Sequence, residues 1–449
     1  MNYIEEVRKL NSDRTYKALI NTYGCQQNEN DSEKIAGLLQ EMGYGFTDSE
    51  TDADLIIFNT CAIRENAEKK FYGSLGAIKI LKEMRPNMII AVSGCMTGQE
   101  HVVKRIKSTY KQVDVVLSAN NYKKLPELIY NARAKHDRFF DTTYEDKLPE
   151  EGIPVLRTDK IKAGLPIMYG CNNFCAYCIV PYVRGRERSR SEEDILADAR
   201  KLVDEGYKEI MLLGQNVNSY NGGGDNFARL LEKVSDTGIE RIRFMTSHPK
   251  DISDRVLDVM AERDNICKCL HLPLQSGSNK ILKVMNRKYT REKYLEIVDK
   301  AKEKMPGITL TTDIIVGFPG ETTADFEDTL DILEKVRYDM IYSFIFSPRK
   351  GTPAYSMEDV ITAEEKKANF DRMLEVQNRI SLEKNLELRG KTVPVLVEGV
   401  SKTKECMLTG RTEGGKIVNF PGDESLAGKI INVKLNEAKT WNFVGERKD

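Results

Sequence analysis

Short apolar runs alternate with helical stretches between residues 15 and 135, and this alternation is the feature that most restricts the fold. The runs have the length and composition of strands buried in a parallel sheet. They lie at residues 17–21, 54–59, 88–93 and 113–117. Helical periodicity fills the intervals, for example over residues 32–42 and 65–84. This strand–helix–strand pattern predicts a small doubly wound α/β sheet for residues 15–135.

The same alternation continues beyond a segment of scattered charge at residues 136–160, which we interpret as a linker. Six further strand-like runs follow, with helical stretches between most of them, at residues 165–169, 209–213, 241–246, 269–274, 309–316 and 340–346. Such units predict a partial (β/α) barrel over residues 157–388, ending in one long amphipathic helix at residues 364–388. The active site of such a barrel lies at the carboxyl ends of its strands.

The pattern changes at residue 390, where apolar residues begin to alternate with polar ones and turns become frequent. Short runs of this kind lie at residues 393–400, 405–411, 416–422 and 429–435. Strands this short and closely spaced predict a small β-barrel over residues 390–449. Barrels of this kind often bind oligonucleotides. We therefore expect an α/β protein with a separate β-module at its carboxyl end.

The composition is typical of a cytoplasmic chain with no membrane segment. No apolar run approaches the roughly 18 residues that a transmembrane helix needs, and the amino terminus is too charged for a signal peptide. Nine cysteines in 449 residues, an odd number, do not suggest a secreted disulfide framework. The 68 Lys and Arg nearly cancel the 69 Asp and Glu, so a nucleic acid must be attracted by local basic patches.

Three cysteines, Cys171, Cys175 and Cys178, directly follow the first predicted barrel strand. Structural zinc takes four protein ligands and a disulfide takes two, so a C-x3-C-x2-C set indicates another centre. Three thiolates hold three irons of a 4Fe-4S cluster and leave the fourth iron open to the amino and carboxylate groups of S-adenosylmethionine. Two alternatives stay open. One is a redox pair of Cys175 and Cys178, which leaves Cys171 without a role, and the other is zinc with a distant fourth ligand.

Polar residues and tight turns close several other predicted barrel strands. We expect these strand ends to form the pocket for the cosubstrate S-adenosylmethionine. The candidate residues are Gly214, Gln215, Asn216, Ser247, Gln275 and Asp313. Each turn taken alone is also typical of an ordinary strand end.

Three more cysteines, Cys25, Cys61 and Cys95, each follow an apolar run of the amino-terminal sheet and precede a helical stretch. The carboxyl ends of parallel strands share one edge, where nearby helix amino termini favour thiolates. We therefore expect these thiols to converge and to hold a second metal cluster. The alternative is that each is a small packing residue, as a cysteine at a strand end usually is. We interpret the others as packing residues, namely Cys267, Cys269 and Cys406.

With two three-cysteine sets and a terminal β-module, the chain resembles the methylthiotransferases of the radical S-adenosylmethionine superfamily from about residue 15 to its end. The resemblance implies an auxiliary 4Fe-4S cluster in the amino-terminal domain and a radical-generating 4Fe-4S cluster in the barrel. It matches the auxiliary ligands to Cys25, Cys61 and Cys95, and the radical-cluster ligands to Cys171, Cys175 and Cys178. It identifies the terminal β-module as a TRAM domain, which binds RNA.

Residues 171–190, 213–220 and 273–290 are most similar to family members that act on tRNA. This resemblance implies methylthiolation of carbon 2 of the isopentenyl-modified adenosine at tRNA position 37, beside the anticodon. It implies two molecules of S-adenosylmethionine per product. One methylates a sulfur of the auxiliary cluster, and the other yields the radical that abstracts hydrogen from carbon 2. We also expect an electron donor such as a flavodoxin or ferredoxin, an iron–sulfur delivery system, and a monomeric enzyme.

Rival activities stay open at the level of sequence. Sibling methylthiotransferases act on threonylcarbamoyl-adenosine in tRNA or on an aspartate of a ribosomal protein, and only the wording of the motifs argues against them. A non-catalytic iron–sulfur protein that binds RNA is the rival from another class. The open-iron loop at the catalytic end of a barrel argues against that class.

Basic residues near the cysteine loop and in the terminal module are candidates for contact with RNA phosphates. In the loop they occupy alternate positions, namely Arg184, Arg186, Arg188 and Arg190. Arginines on a solvated strand are an equally good interpretation of that pattern. In the terminal module the candidates are Lys391, Lys402, Lys404, Arg411 and Lys416.

Overall fold

The computed structural model describes residues 1–63, 65–119, 121–143, 151–401 and 406–448, and the chain packs as two compact units. The first comprises Met1–Thr158, Met168–Phe174 and Cys178–Arg190, and the second comprises Asp159–Ile167, Cys175–Tyr177 and Ser191–Asp449. These units do not coincide with the three predicted domains. The boundaries 15–135, 157–388 and 390–449 therefore stay predictions.

A six-stranded, entirely parallel sheet forms the centre of the first unit, in the order β2-β1-β3-β4-β5-β6. The strands are β1 (Tyr16–Thr22), β2 (Tyr44–Phe46), β3 (Leu55–Thr60), β4 (Ile89–Gly94), β5 (Val115–Leu117) and β6 (Phe139–Asp141). The helices are α1 (Tyr3–Leu10), α2 (Gln26–Glu41), α3 (Glu65–Met84), α4 (Glu100–Thr109) and α5 (Leu125–Lys135). The strand order reverses between β1 and β3, and ligands of doubly wound sheets bind outside the carboxyl ends of the strands at such a point.

The two central strands, β3 and β4, are buried along their whole length because helices cover both faces of the sheet. On one face Leu55 and Ile57 pack with Ile35 of α2, and on the other Phe58 packs with Phe71 of α3. Strands buried on both faces appear in the sequence as continuous apolar runs, which explains why both were predicted correctly.

The sequence pattern did not predict α1 or the two outermost strands of this sheet, β2 and β6. These strands are three residues long, too short to show an alternating or continuous apolar pattern. Because β6 lies within residues 136–160, the interpretation of that whole segment as a linker is wrong. Residues 144–150 of the segment lie outside the described residues.

Between the sheet and the barrel the chain alternates between the two units. It forms β7 (Lys162–Pro166), β8 (Met168–Tyr169), α6 (Val180–Val183) and β9 (Arg188–Ser189). β7 belongs to the second unit, whereas β8 and β9 form an antiparallel pair in the first. The strand predicted at residues 165–169 is therefore divided, and its last two residues belong to β8.

Two three-stranded parallel sheets form the partial (β/α) barrel of the second unit, in the orders β11-β10-β7 and β12-β13-β14. A parallel bridge between Ile242 and Ile266 lies between them. The further strands are β10 (Glu209–Leu213), β11 (Arg241–Phe244), β12 (Cys269–His271), β13 (Thr309–Val316) and β14 (Met340–Ile345). The helices are α7 (Glu192–Asp204), α8 (Asn226–Ser235), α9 (Asp254–Glu262), α10 (Asn279–Val284), α11 (Arg291–Lys304), α12 (Thr323–Val336) and α13 (Ala363–Leu386).

The carboxyl-terminal strands close into a five-stranded barrel in the order β15-β16-β17-β19-β18. They are β15 (Thr392–Val400), β16 (Met407–Thr412), β17 (Ile417–Pro421), β18 (Ile430–Ala438) and β19 (Asn442–Arg447). Alternate residues such as Val395, Val397 and Phe443 fill its interior. The sequence predicted this small barrel but located only four of its strands. It missed β19, which pairs with β17 in parallel and with β18 in antiparallel and thereby closes the barrel.

The hairpin between β16 and β17, residues 411–416, covers the amino-terminal ends of the larger barrel's strands within the second unit. We call it the floor hairpin. Its carbonyl groups at 411 and 412 accept hydrogen bonds from Arg241 (2.9 Å) and Arg243 (2.9 Å) of β11. Its Glu413 accepts the backbone N–H of Lys268 at 2.8 Å. The two barrels of the second unit are therefore joined by buried polar contacts.

No helix within the described ranges combines the length and the apolar character that crossing a membrane requires.

Candidate cluster and cosubstrate sites

The three cysteines of the first unit follow neighbouring strands of its sheet. Cys25 precedes α2 after β1, Cys61 follows β3 directly, and Cys95 begins a short 3-10 turn after β4. Because β1, β3 and β4 are adjacent and parallel, all three cysteines lie at the carboxyl edge of the sheet. This is the position that the strand–helix pattern predicts.

The three thiols lie close to one another. A Cβ added to Gly24 would lie 3.0 Å from the Cβ of Cys61, so the turn before Cys25 passes directly beside the second cysteine. The pKa of the Cys95 thiol is raised to about 12, chiefly by burial, with Arg184 acting to lower it and the thiols of Cys61 and Cys25 acting to raise it. Each of these influences requires proximity.

Buried amides fix the loops that carry these cysteines. The Nδ2 of Asn28 donates to the Oδ1 of Asn59 and to the carbonyl oxygen of Thr60, both at 3.1 Å. In return, the Nδ2 of Asn59 donates to the carbonyl oxygen of Asn28 at 2.8 Å. The thiol of Cys25 contacts the Oδ1 of Asn28 at 3.4 Å. The start of α2 is thereby tied to the end of β3, which orders the edge before any ligand binds.

Two of the arginines assigned to RNA phosphates or to a solvated strand are buried in ion pairs. Arg184 pairs with Asp31 at 2.7 Å, and Arg190 pairs with Glu151 at 2.6 Å. Arg184 also donates from Nε to the Sγ of Cys95 at 3.0 Å. Both interpretations are therefore wrong for these two residues. Arg186 is exposed and lies over the ring of Phe174.

The residues at this edge fit an iron–sulfur cluster better than a single ion. No three His, Cys, Asp or Glu side chains within the described ranges lie close enough to share one metal ion. A 4Fe-4S cluster makes a different demand, because each thiolate binds its own iron and the sulfur ligands lie farther apart. Three neighbouring cysteines that also face an N–H donor meet that demand. None of the nine cysteines, all of them described, forms a disulfide.

The cysteines of the C-x3-C-x2-C loop are divided between the units. Cys171 and Cys178 belong to the first unit, whereas Cys175 belongs to the second. In the first unit the backbone N–H of Cys171 donates to the carbonyl oxygen of Gly185 at 3.1 Å. Gly170 has a φ of +72°, and a Cβ there would lie 2.0 Å from the carbonyl oxygen of Arg186, so only glycine fits. The convergence of the three thiols stays a prediction.

The predicted cosubstrate residues after β10 and β11 include unsatisfied buried polar atoms. The side chain of Asn216 is engaged, since its Oδ1 accepts the N–H of His248 (3.0 Å) and its Nδ2 donates to Asp251 (2.6 Å). Ser247 is fully buried, and its hydroxyl has no partner among the described residues. The same holds for both side-chain polar atoms of Asn218, a residue that the sequence analysis did not select. Buried polar groups without partners are rare, and a bound ligand or water can satisfy them.

The predicted residues at the other sheet meet at the end of β12. The backbone N–H of Gln275 donates to the carbonyl oxygen of Asp313 at 2.8 Å, and Gln275 has a φ of +72°, unusual for a residue with a side chain. The carboxylate of Asp313 lies 3.6 Å from the Nε2 of His271. Gly214 and Gln215 follow β10 directly. The roles of all six residues toward S-adenosylmethionine stay predictions.

Arg287 is a further candidate for the cosubstrate site that the sequence did not single out, although it lies within the motif quoted at residues 273–290. It is buried, donates to the carbonyl oxygen of Pro273 (2.7 Å) and to the hydroxyl of Tyr289 (3.0 Å), and contacts the Sγ of Cys175 at 3.5 Å. Its hydrogen-bond partners among the described residues are a carbonyl oxygen, tyrosine hydroxyls and a cysteine sulfur, and none is a carboxylate. Its charge also helps burial to lower the pKa of His248 to about 2, so that imidazole is neutral.

The other cysteines are only partly as predicted. Cys267 is buried and Cys269 is half-buried, in agreement with packing roles. Cys406 is exposed, so the packing interpretation is wrong for that residue.

Comparison with protein families divides the chain into three matched segments. Residues 17–118 match the family described as "Uncharacterized protein family UPF0004", residues 165–333 match the Radical SAM superfamily, and residues 387–446 match the TRAM domain.

Several relatives are similar over nearly their whole length, and each is named tRNA-2-methylthio-N(6)-dimethylallyladenosine synthase. The relative from Acetivibrio thermocellus is 54% identical, over 99% of this chain and 94% of its own. The relative from Thermoanaerobacter sp. is 52% identical, over 99% of this chain and 95% of its own. The relative from Clostridium perfringens is 50% identical, over 95% of this chain and 96% of its own.

Among solved structures, the radical S-adenosylmethionine methyltransferase TsrM from Kitasatospora setae, with cobalamin and a [4Fe-4S] cluster bound, has a similar fold. The TM-score is 0.56 over 76% of this chain and 74% of that one, at 14% sequence identity. At this identity the similarity concerns the fold alone.

Proposed function

Because this chain belongs to the family of tRNA-2-methylthio-N(6)-dimethylallyladenosine synthases, we propose that it attaches a methylthio group to carbon 2 of the isopentenyl-modified adenosine at tRNA position 37. The enzyme is a radical S-adenosylmethionine transferase that modifies tRNA, with S-adenosylmethionine as cosubstrate. Its TRAM domain supports a nucleic-acid substrate. An unpaired anticodon-loop base is the kind of target that proteins remove from its stack and hold.

We assign the two cysteine sets to two 4Fe-4S clusters. Cys171, Cys175 and Cys178 hold the radical cluster, and the auxiliary cluster is held by Cys25, Cys61 and Cys95. When bound, the clusters supply the electron that cleaves S-adenosylmethionine and the sulfur that enters the product. The task of the chain is to hold both sets of thiolates and to exclude water from them. The buried positions of Cys61, Cys95, Cys171 and Cys175 support that assignment.

We assign the cosubstrate to the strand ends of the partial barrel. Gly214, Gln215, Asn216, Ser247, Gln275 and Asp313 form the pocket in this proposal. The unpartnered hydroxyl of Ser247 and amide of Asn218 support it, because a bound polar ligand would satisfy them. Arg287 adds a buried positive charge to the same region, suited to a carboxylate.

One observation carries the proposal beyond radical chemistry in general, namely the meeting of Cys25, Cys61 and Cys95 at one edge of the first unit's sheet. An enzyme that generates a radical needs one cysteine set. A second set is required if the chain also supplies sulfur. The non-catalytic alternative gives no reason for the unpartnered polar atoms at the barrel's strand ends.

The test is nucleoside analysis of tRNA from a strain that lacks this protein. We expect the 2-methylthio group to disappear while N(6)-isopentenyladenosine accumulates. Wild-type protein should restore the methylthio nucleoside, and a Cys25→Ala, Cys61→Ala, Cys95→Ala variant should not. Loss of methylthio groups from threonylcarbamoyl-adenosine, or from a ribosomal protein, would instead establish one of the sibling activities and refute the substrate assignment.

Further partners follow from the chemistry of the proposal. Cleavage of S-adenosylmethionine consumes an electron, so we include a low-potential donor such as a flavodoxin or ferredoxin. Each turnover removes a sulfur atom, so we include an iron–sulfur delivery system. We propose that the enzyme is cytoplasmic, because tRNA and reducing conditions are both found in the cytoplasm, and that it acts as a monomer.

A further inference from the structure

The guanidinium of Arg184 joins the auxiliary cysteine set to a buried carboxylate. Its Nε donates to the Sγ of Cys95 at 3.0 Å, and its Nη2 donates to Asp31 at 2.7 Å. Arg184 is 3% exposed and Asp31 is 1% exposed, so water does not screen either contact. The Nε2 of Gln27 holds the same carboxylate at 3.1 Å. The contact with the sulfur is therefore part of a fixed network.

The backbone around Arg184 has little freedom to move. Its N–H donates to the carbonyl oxygen of Val180 at 2.8 Å, at the end of α6. The side chain of Val183 is buried in the core on one face of the sheet. A Cβ added to Gly98, in the turn that Cys95 begins, would lie 3.0 Å from the Cα of Val183. This close approach holds Arg184 beside the cysteine through the backbone as well as through the side chain.

The contact between the guanidinium of Arg184 and the sulfur of Cys95 lies outside the ion pair of this network. Asp31 neutralises the guanidinium, as a buried arginine requires. The Nε–H group faces a sulfur atom, and a hydrogen bond to an anionic acceptor is stronger than one to a neutral acceptor. Hydrogen bonds to ligand sulfur and local charge are two of the features that set the reduction potential of an iron–sulfur cluster.

We propose that Arg184 is a positioning residue for the auxiliary cluster, which orients the Cys95 thiolate and makes the bound cluster easier to reduce. The inference rests on the proposed function in so far as Cys95 is a cluster ligand. An N–H donor stabilises the added negative charge of the reduced cluster, so its removal lowers the midpoint potential. Asp31 acts in the opposite direction, because its charge partly cancels that of the guanidinium.

The experiment uses full-length protein in which Cys171, Cys175 and Cys178 are replaced with Ala, so that only the auxiliary cluster remains. Four variants of this parent are reconstituted anaerobically, namely Arg184→Met, Arg184→Lys, Asp31→Asn and Arg186→Met. Iron and sulfide content, thermal unfolding and the midpoint potential from a redox titration followed by electron paramagnetic resonance are measured for each. Arg186 is the matched control because it belongs to the same loop and is exposed.

We expect Arg184→Met to lower the midpoint potential, Arg184→Lys to lower it less, and Asp31→Asn to raise it. Arg186→Met should match the parent. A purely structural role would make the Arg184→Met and Asp31→Asn variants similar to each other, since both break the same ion pair. Opposite shifts therefore separate the two roles.

An unchanged potential in Arg184→Met with full iron content would overturn the inference, as would shifts of the same sign in Arg184→Met and Asp31→Asn. If Arg184→Met loses its iron but unfolds at the temperature of the control, the positioning role is supported, because a folded chain has lost its hold on the cluster. A parent that binds no iron at all refutes the auxiliary-cluster assignment itself, and the inference with it.

Discussion

We expect the substitution Lys416→Met to lower the stability of the second unit rather than to weaken the binding of RNA. Lys416 is a basic residue of the TRAM domain, yet its Nζ lies 2.8 Å from Asp339 and 2.8 Å from the Oδ1 of Asn385. Its side chain is 13% exposed and that of Asp339 is 6% exposed. The sequence made Lys416 a candidate for contact with the RNA backbone. In the structure its side chain instead ties the floor hairpin to Asp339 and Asn385.

The expected loss follows from what the substitution leaves behind. Removal of one partner from a buried ion pair costs about 3–5 kcal/mol when the other charge is left alone. Asp339 keeps two other partners, the Nζ of Lys384 at 2.7 Å and the N–H of Leu310 at 2.9 Å. We therefore expect a cost of about 2–3 kcal/mol. For a unit of this size, about 2 °C per kcal/mol converts that cost into a fall of about 5 °C in the unfolding temperature.

Calorimetry of the variant, with tRNA binding measured in parallel at moderate salt, tests this expectation. Lys429→Met is the matched control, since Lys429 is an exposed lysine of the same small barrel and should change stability by less than about 0.5 kcal/mol. A Lys416→Met protein that unfolds with the control but binds tRNA several-fold more weakly would refute this reasoning. It would return Lys416 to the RNA interface.

The remaining predictions concern chemistry and pH. Burial raises the pKa of Glu321 to about 7, from an ordinary value of about 4.5. Between about pH 4.5 and 7 the folded chain therefore keeps a proton that the unfolded chain has lost. The free energy of unfolding falls as the pH rises through this range. Glu321→Gln should therefore gain about 2–3 kcal/mol relative to wild type at pH 8 and little at pH 4.5, measured by urea unfolding. Arg287→Met should slow reductive cleavage of S-adenosylmethionine by about 10–100-fold at normal iron content. The control is Lys288→Met, at the exposed neighbouring position. An unchanged rate in Arg287→Met would exclude Arg287 from the site. Replacing Cys25, Cys61 and Cys95 with Ala should remove about half of about eight irons and stop methylthiolation, while deoxyadenosine still forms. Methylthiolated product from that variant would refute the auxiliary-cluster assignment.

The sequence predicted the parts of the fold that depend on local pattern. Continuous apolar runs identified β3 and β4 because both faces of the sheet are covered, and alternation identified the small closed barrel. In the sheet of the first unit the missed strands were β2 and β6, which are only three residues long and pair at the edges of the sheet. Their place is determined by backbone pairing with β1 and β5, which leaves no periodic signal in three residues.

The placement of the candidate ligands was predictable where one residue type recurs at one position of the strand–helix pattern. Cys25, Cys61 and Cys95 stand out because each follows a strand of a parallel sheet. Arg184 does not, since its partner Asp31 is 153 residues away in the chain and four arginines at alternate positions look like phosphate contacts. Only the folded chain distinguishes Arg184 from Arg186.

The floor hairpin also determines when the enzyme becomes complete during synthesis. Arg241 contacts the carbonyl oxygen of a residue 170 positions later, and Lys162 of β7 pairs with Glu398 across 236 positions. At about 5–20 residues per second, on the order of ten to fifty seconds pass between the synthesis of Lys162 and that of its partner. In that interval the amino-terminal end of the larger barrel lacks its cover. A chain released before the floor hairpin is made therefore lacks both the TRAM domain and the cover over the amino-terminal end of the larger barrel.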